Sequence, residues 1–219
     1  MQTRWVLASN NQGKLAEFQS LFVPMGVEFI PQASLNIADV NETGTTFIEN
    51  AIIKARHASQ QSGLPAIADD SGLCVPILNN APGVLSARFA GSMTEYKDGL
   101  NNDRANNDRA NNAKLQQMLL PYHQQGQTIT AFFVCVLVFL RTSDDPLPII
   151  AEGHWYGQII AAPKGEQGFG YDPLFLVPDL GKTAAELDTA TKNALSHRGQ
   201  AMQQLKQKLA VLGLSLIHI

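Results

Sequence analysis

The sequence predicts an α/β protein, and three observations carry that expectation. Short runs of Val, Ile, Leu and aromatic residues, too brief for helices, recur along the chain. Between them lie longer stretches with apolar residues three or four apart, the spacing of one helix face. Four polar clusters fall where these elements end, which is where open α/β sheets build ligand sites. They are Ser9-Asn10-Asn11-Gln12-Gly13-Lys14, Ala68-Asp69-Asp70-Ser71-Gly72, Gly168-Phe169-Gly170-Tyr171-Asp172 and Ser196-His197-Arg198-Gly199-Gln200.

The elements follow in order. Trp5 to Ala8 reads as a buried strand running into a loop. Leu15, Phe18 and Phe22 line a first helix that Gly26 can stop. Thr46 and Glu49 have capping-box spacing and open a second helix, with Ile48, Ile52 and Ala55 as its apolar stripe and Gly63 as its end. Ala66-Ile67-Ala68 is a short strand, broken by Asp-Asp-Ser-Gly and resumed at Leu73-Cys74-Val75. A helix covers Asn112 to Leu120. Thr130 to Leu140 lacks clean alternation and fits a central strand covered on both faces. Gly153 to Ile160 is a further strand, and Met202, Leu205, Leu209 and Leu212 form one stripe of a final amphipathic helix.

Composition narrows the class. The 219 residues are 45% hydrophobic and 16% charged, enough apolar material for a core. A net charge of −3 leaves no electrostatic footprint for nucleic acid, though a local Lys/Arg cluster can still hold a small anion. Cys74 and Cys135 sit in apolar runs without metal-ligand spacing and read as buried thiols of a reducing compartment. The start lacks a signal-peptide pattern, and the apolar stretch from Ile129 to Leu140 falls short of the roughly 20 residues that span a bilayer. The expectation is a cytoplasmic chain with no membrane partner. Asn101 to Ala105 is repeated at once as Asn106 to Ala110, too short a unit for a repeat fold, and reads as a polar surface loop or as an extension of the following helix. The apolar tail Leu214 to Ile219 reads as a cloning or sequencing scar outside the fold.

The first cluster has the form of a phosphate site: a strand ends, small amide residues turn the chain, and a helix begins near Gly13. Backbone N–H groups at a helix start attract anions and Lys14 adds a full charge. It is not a Walker loop, because Leu15 stands where Ser or Thr would follow the lysine. An Asn-rich turn with a solvated lysine is the plain alternative. On the second helix Asn50 and Lys54 are one turn apart and share a face, while capping alone explains Glu49. Asp69 and Asp70 point to opposite faces if the chain there is extended, so they do two jobs. A turn between strands is the plain alternative for them. His197 and Arg198 put two cations at the positive end of a helix, which an anionic or acceptor-rich ligand would justify.

Taken together, the four clusters resemble the Ham1 family of non-canonical purine nucleoside triphosphate pyrophosphatases, also called ITP/XTP or dITP/XTP pyrophosphatases. The likeness runs from residue 5 to 212. It includes Glu49-Asn50-Ala51, Lys54-Ala55 and the run from Ala81 to Gly91, where Ser86 and Arg88 face either the substrate or a dimer partner. Two departures are Ser9 for Thr, which keeps the hydroxyl, and Asn10 for Gly, which tolerates positive φ. Asn41 stands where many members have a second Glu. The resemblance implies an elongated α/β fold, a mixed central sheet flanked by helices in two lobes with a cleft between them, as one domain over residues 1–213. It also implies a homodimer.

The implied reaction is nucleoside triphosphate plus water to monophosphate plus pyrophosphate. On this resemblance Asp70 is the general base and, with Glu42, a Mg²⁺ ligand, although either Asp69 or Asp70 could touch the metal. Lys54 and Lys14 neutralise phosphate charge, and Ser9, Asn10, Asn11, Gln12, Gly13 and Ser71 line the phosphates. Phe169, Gly170, Tyr171 and Asp172, with Lys192, His197 and Arg198, read the base. Donors aimed at the purine 6-oxygen would be left unpaired by adenine. The rival expectations are a Maf-like pyrophosphatase acting on pyrimidine or modified nucleotides, a non-catalytic nucleotide-binding protein, and a plain scaffold.

Overall fold

The structure, a computed structural model, describes residues 3–10, 12–23, 26–91 and 104–211. Among them are eight strands: β1 (Thr3–Leu7), β2 (Val27–Pro31), β3 (Ala66–Val75), β4 (Ala81–Pro82), β5 (Ile129–Leu140), β6 (Ile149–Ile159), β7 (Phe175–Val177) and β8 (Lys182–Thr183). They hydrogen-bond in the order β2-β1-β3-β5-β6-β7-β8, with β4 paired to β3. The sheet is mixed, since β1 runs parallel to β2 and β3 whereas β7 runs antiparallel to β6 and β8. The helices that flank it are α1 (Gln12–Phe22), α2 (Phe47–Ser62), α3 (Arg104–Gln124), α4 (Thr189–Leu195) and α5 (His197–Val211).

The chain falls into two compact units, and the long strands β3, β5 and β6 give part of their length to each. Unit 1 takes Met1–Asp70, Cys135–Gly153 and His197–Ile219. Its core gathers Trp5 and Leu7 of β1, Phe18 and Phe22 of α1, Phe29 of β2, Phe139 of β5 and Leu205 and Leu209 of α5. Trp5 is the hub, 4.4 Å from Phe139 and 5.9 Å from Phe29 between ring centroids. Each such aromatic contributes about 1.5–3 kcal/mol by leaving water. Gly153 of β6 lets α5 approach, because a Cβ there would meet the His197 carbonyl and, at 2.7 Å, the Ala201 nitrogen.

Unit 2 takes Ser71–Val134 and His154–Ser196 and has its own core. There Leu115 and Leu119, one turn apart on α3, pack with Phe133 of β5, Trp155 of β6 and Phe175 of β7. The Phe133 and Phe175 rings lie 4.6 Å apart. Cys74 and Cys135 are both free and buried, and burial pushes their thiols up to about 11 and about 12.

Several expectations change. The Asp-Asp-Ser-Gly sequence does not break a strand: β3 runs through it without interruption. β6 starts four residues before Gly153, at Ile149. Thr46 and Glu49 form the capping box and Gly63, at φ +68°, ends α2, but the buried face of that helix is Asn50, Ala51, Ala55, Ala58 and Ser59. Ile48 and Ile52 are only half-buried, because small alanines bring the backbone of α2 close to β1. Of the two readings of the tandem, extension of the following helix holds for the second copy: Asn106 to Ala110 belongs to α3. Asn101 to Asp103, Leu212 and the tail from Leu214 lie outside the described residues. Ser86 turns inward rather than toward a substrate or partner: its hydroxyl accepts from the Leu73 N–H at 2.9 Å and donates to the Gly83 carbonyl.

Gly153→Ala therefore destabilises the chain by about 1–3 kcal/mol, since the colliding atoms are backbone. A lower urea midpoint than wild type checks this.

Candidate active site

The site in unit 1 is built from two consecutive carboxylates in β3. Strand geometry sends Asp69 and Asp70 to opposite faces, and each meets different cations. Lys14, in the first turn of α1, reaches both oxygens of Asp69, at 2.8 and 2.7 Å. Arg198, the second residue of α5, lies 3.7 Å from Asp69 through Nη2 and 3.0 Å from Glu17 through Nη1. Lys54, two turns into α2, places Nζ 2.8 Å from Asp70 and 2.8 Å from Glu42. Asn50 is buried beneath this group. Its Oδ1 accepts the Gly44 N–H at 2.8 Å, and its Nδ2 faces Asp70 at 3.5 Å. A Cβ on Gly44 would strike Glu49 and Asn50, so glycine is required for the loop that carries Glu42.

The two carboxylates differ in basicity. Burial pushes Asp69 up, but Lys14, Arg198 and Lys54 outweigh it and hold the carboxyl well below the usual range. Burial also raises Asp70, and here Lys54 does not overcome it, because Glu42 and Asp69 add their own repulsion. Lys54 loses to burial and gains more from Asp70, Asp69 and Glu42, so it is pushed up to about 12 and stays charged. Asp69 is thus a fixed anion, and Asp70 is a carboxylate of raised proton affinity beside a fixed cation. That is the electrostatic profile of a base at neutral pH.

In unit 2, Phe169 is 39% exposed and Lys192 Nζ sits 5.1 Å from its ring centroid. Lys192 also pairs with buried Asp172, whose Oδ2 takes the Phe169 N–H at 2.8 Å. Tyr171 is buried and donates its hydroxyl to the Ser86 carbonyl at 2.8 Å.

The Ham1 family model matches residues 5–208. The chain belongs to the Ham1 family. A relative from Acinetobacter baumannii named dITP/XTP pyrophosphatase is 55% identical over 206 residues, covering 93% of this chain and 94% of its own. One of the same name from Ralstonia nicotianae is 54% identical over 206 residues, covering 94% and 96%. The solved Ham1 protein of Coxiella burnetii superposes with a TM-score of 0.84 at 46% identity, over 95% of this chain and 99% of that one. That of Staphylococcus aureus gives 0.80 at 38%, over 96% and 100%.

Among the Ham1 site residues expected from sequence, Lys14, Lys54, Asp70 and Glu42 gather with Asp69 in unit 1. Arg198 is buried with its guanidinium on Glu17 and Asp69, so two carboxylates of the chain itself justify a cation at the start of α5. His197 opens the same helix. Ser9 follows β1, and Asn10 is exposed and donates to Asp39 at 3.1 Å. Ser71 follows Asp70 directly in β3 and is half-buried. Asn11 and the side chain of Gln12 lie outside the described residues, and Gly13 is in the first turn of α1.

Sequence reasoning missed Glu17 and did not give Asn50 a role. The signal for Glu17 was an acid one turn after Lys14, and for Asn50 an amide one turn before Lys54. Among the described residues no group of three or more His, Cys, Asp or Glu is arranged to hold a metal ion. The donor pair Glu42 and Asp70 nonetheless fits one. Both are hard oxygen ligands, and both already share one cation, the Lys54 ammonium. No helix among the described residues is long and apolar enough to cross a membrane.

Asp69→Asn takes the buried carboxylate away from Lys14 and leaves Arg198 with Glu17, and is expected to cost about 3–5 kcal/mol in urea unfolding. Because the folded Asp69 carboxyl titrates below its unfolded value of about 4, the stability it contributes is complete above that pH. It is lost as pH falls through the folded value. The gap between wild type and variant should therefore narrow on acidification.

Proposed function

We propose that the protein hydrolyses non-canonical purine nucleoside triphosphates, dITP, ITP and XTP, to the monophosphate and pyrophosphate. The observation that carries this reading is Asp70, raised in basicity and set beside Lys54 and Glu42. The printed names of the relatives point to the same substrates. Water attacks the α-phosphorus, and pyrophosphate leaves. Asp70 takes the proton of the attacking water, and Lys14 and Lys54 offset the charge of the phosphate chain. The backbone from Ser9 through Asn10, Asn11, Gln12 and Gly13, the start of α1, and Ser71 supply donors to the phosphates.

Enzymes that open phosphoanhydrides this way depend on a divalent metal. Glu42 and Asp70 are the residues to hold Mg²⁺, which when bound neutralises phosphate oxygens. Phe169 offers the purine a stacking face within the Gly170-Tyr171-Asp172 turn, and Lys192 and His197 are the donors read against the 6-oxygen, while Arg198 is engaged by Glu17 and Asp69. On the same reading the enzyme is a cytoplasmic homodimer that acts on free nucleotides. The net charge of −3 supports the absence of a nucleic-acid partner.

The test is a panel of ITP, dITP, XTP, ATP, GTP and a pyrimidine triphosphate with Mg²⁺, scored for pyrophosphate against orthophosphate. The oxo-purines should release pyrophosphate, with ATP about 10²-fold slower in kcat/KM. Orthophosphate as product, or a preference for the pyrimidine, overturns the reading. Chelating the metal should abolish turnover and added Mg²⁺ should restore it. Asp70→Asn should cut kcat by roughly 10² or more while ITP binding stays within about tenfold.

A further inference from the structure

We propose that Asp108 and Asn112 of α3 are positioning residues that set the Phe169 ring for the purine by clamping the residue after it. The inference rests on the reading above, in which Phe169 stacks on the base, and it adds two residues to the reading of the base. Gly170 is held at both ends of its backbone. Its N–H donates to Asp108 Oδ2 at 2.7 Å, and its carbonyl accepts from Asn112 Nδ2 at 2.9 Å. Asp108 and Asn112 are four apart on one helix, so a single face of α3 presents both groups. Gly170 adopts φ +63°, a conformation that would drift without such anchors in an exposed turn.

On the other side, Asp172 Oδ2 accepts the N–H of Phe169 itself at 2.8 Å. The backbone around the ring is therefore fixed from two directions, by α3 and by the Asp172–Lys192 pair. Packing cannot do this work, because the ring is 39% exposed. A half-exposed aromatic keeps one orientation only if its backbone is held. Asn112 Oδ1 is buried without a hydrogen-bond partner among the described residues. That penalty is tolerated where the Nδ2 bond is the one the residue is there to make.

The clamp also explains a sequence feature that the site left unused. Asp108 belongs to the second copy of the Asn-Asn-Asp-Arg-Ala tandem, and Asn111-Asn112 begins a third, incomplete one. Asn111 accepts the Ala90 N–H at 2.7 Å and donates to the carbonyls of Ser86 and Ala87, both at 3.3 Å. A stretch read as a polar loop or a helix extension anchors two separate turns of unit 2.

The test uses the full chain with Mg²⁺ and dITP, and four forms: wild type, Asp108→Ala, Asn112→Ala and Asp108→Asn, the last of which keeps an acceptor oxygen. Each alanine variant should raise KM about tenfold, the loss of one charge-assisted or buried bond, with kcat within about twofold. Asp108→Asn should return KM close to wild type. Hydrogen exchange at the Gly170 amide should quicken in Asp108→Ala and not in Asp108→Asn. A wild-type KM in both alanine variants overturns the proposal, as does a fall in kcat that matches the rise in KM. Wild-type turnover of dITP is read first, and its absence defeats the proposed function. An unchanged exchange rate at Gly170 in Asp108→Ala defeats the clamp whatever the activity.

Discussion

Two carboxylates side by side in the middle of a buried strand repel each other and lose their water, and a chain that keeps both must bring cations to them. In this protein the cations come from three helices. Lys14 stands in the first turn of α1, Lys54 on α2 and Arg198 at the head of α5. Because Asp69 and Asp70 face opposite ways, each makes its direct ion pairs with different helices, although the charge of Lys54 is felt by both. An uncompensated buried charge costs several kcal/mol, so α1 and α5 are bound to the Asp69 face and α2 to the Asp70 face. The glycines at 44 and 153 fit the same scheme, one shaping the loop that carries Glu42 and the other letting α5 close on β6.

The uneven division of cations also divides the labour. Asp69 receives more positive charge than burial takes away and is held ionised. Asp70 receives less and sits nearer to accepting a proton. Adjacent residues of one type thus acquire different chemistry from their neighbours alone.

Much of this was readable in the sequence, for physical reasons that are local. Periodicity placed α1 and α5, a continuous apolar run placed β5, and Thr46 with Glu49 announced the start of α2 through a contact only three residues long. What was not readable depends on distant partners. Asp-Asp-Ser-Gly has the composition of a turn, and only Lys14, 55 residues away, and Arg198 make it tolerable inside a strand. Arg198 read as a cation that an anionic or acceptor-rich ligand would justify. Glu17, 181 residues away in the chain, does so instead. The alanine face of α2 was hidden because apolar bulk, not closeness of approach, dominates a pattern read by eye. The tandem gave no hint of its use, since its partners at Gly170 and Ala90 lie in other segments.

Lys54 has one more consequence. Many metalloproteins fall apart when stripped, because their ligand carboxylates then confront one another. Here the ammonium sits against Glu42 and Asp70 as a resident counterion. The two carboxylates therefore need no bound metal to offset their mutual repulsion, and on the proposed reading loss of divalent metal stalls turnover without unfolding the chain.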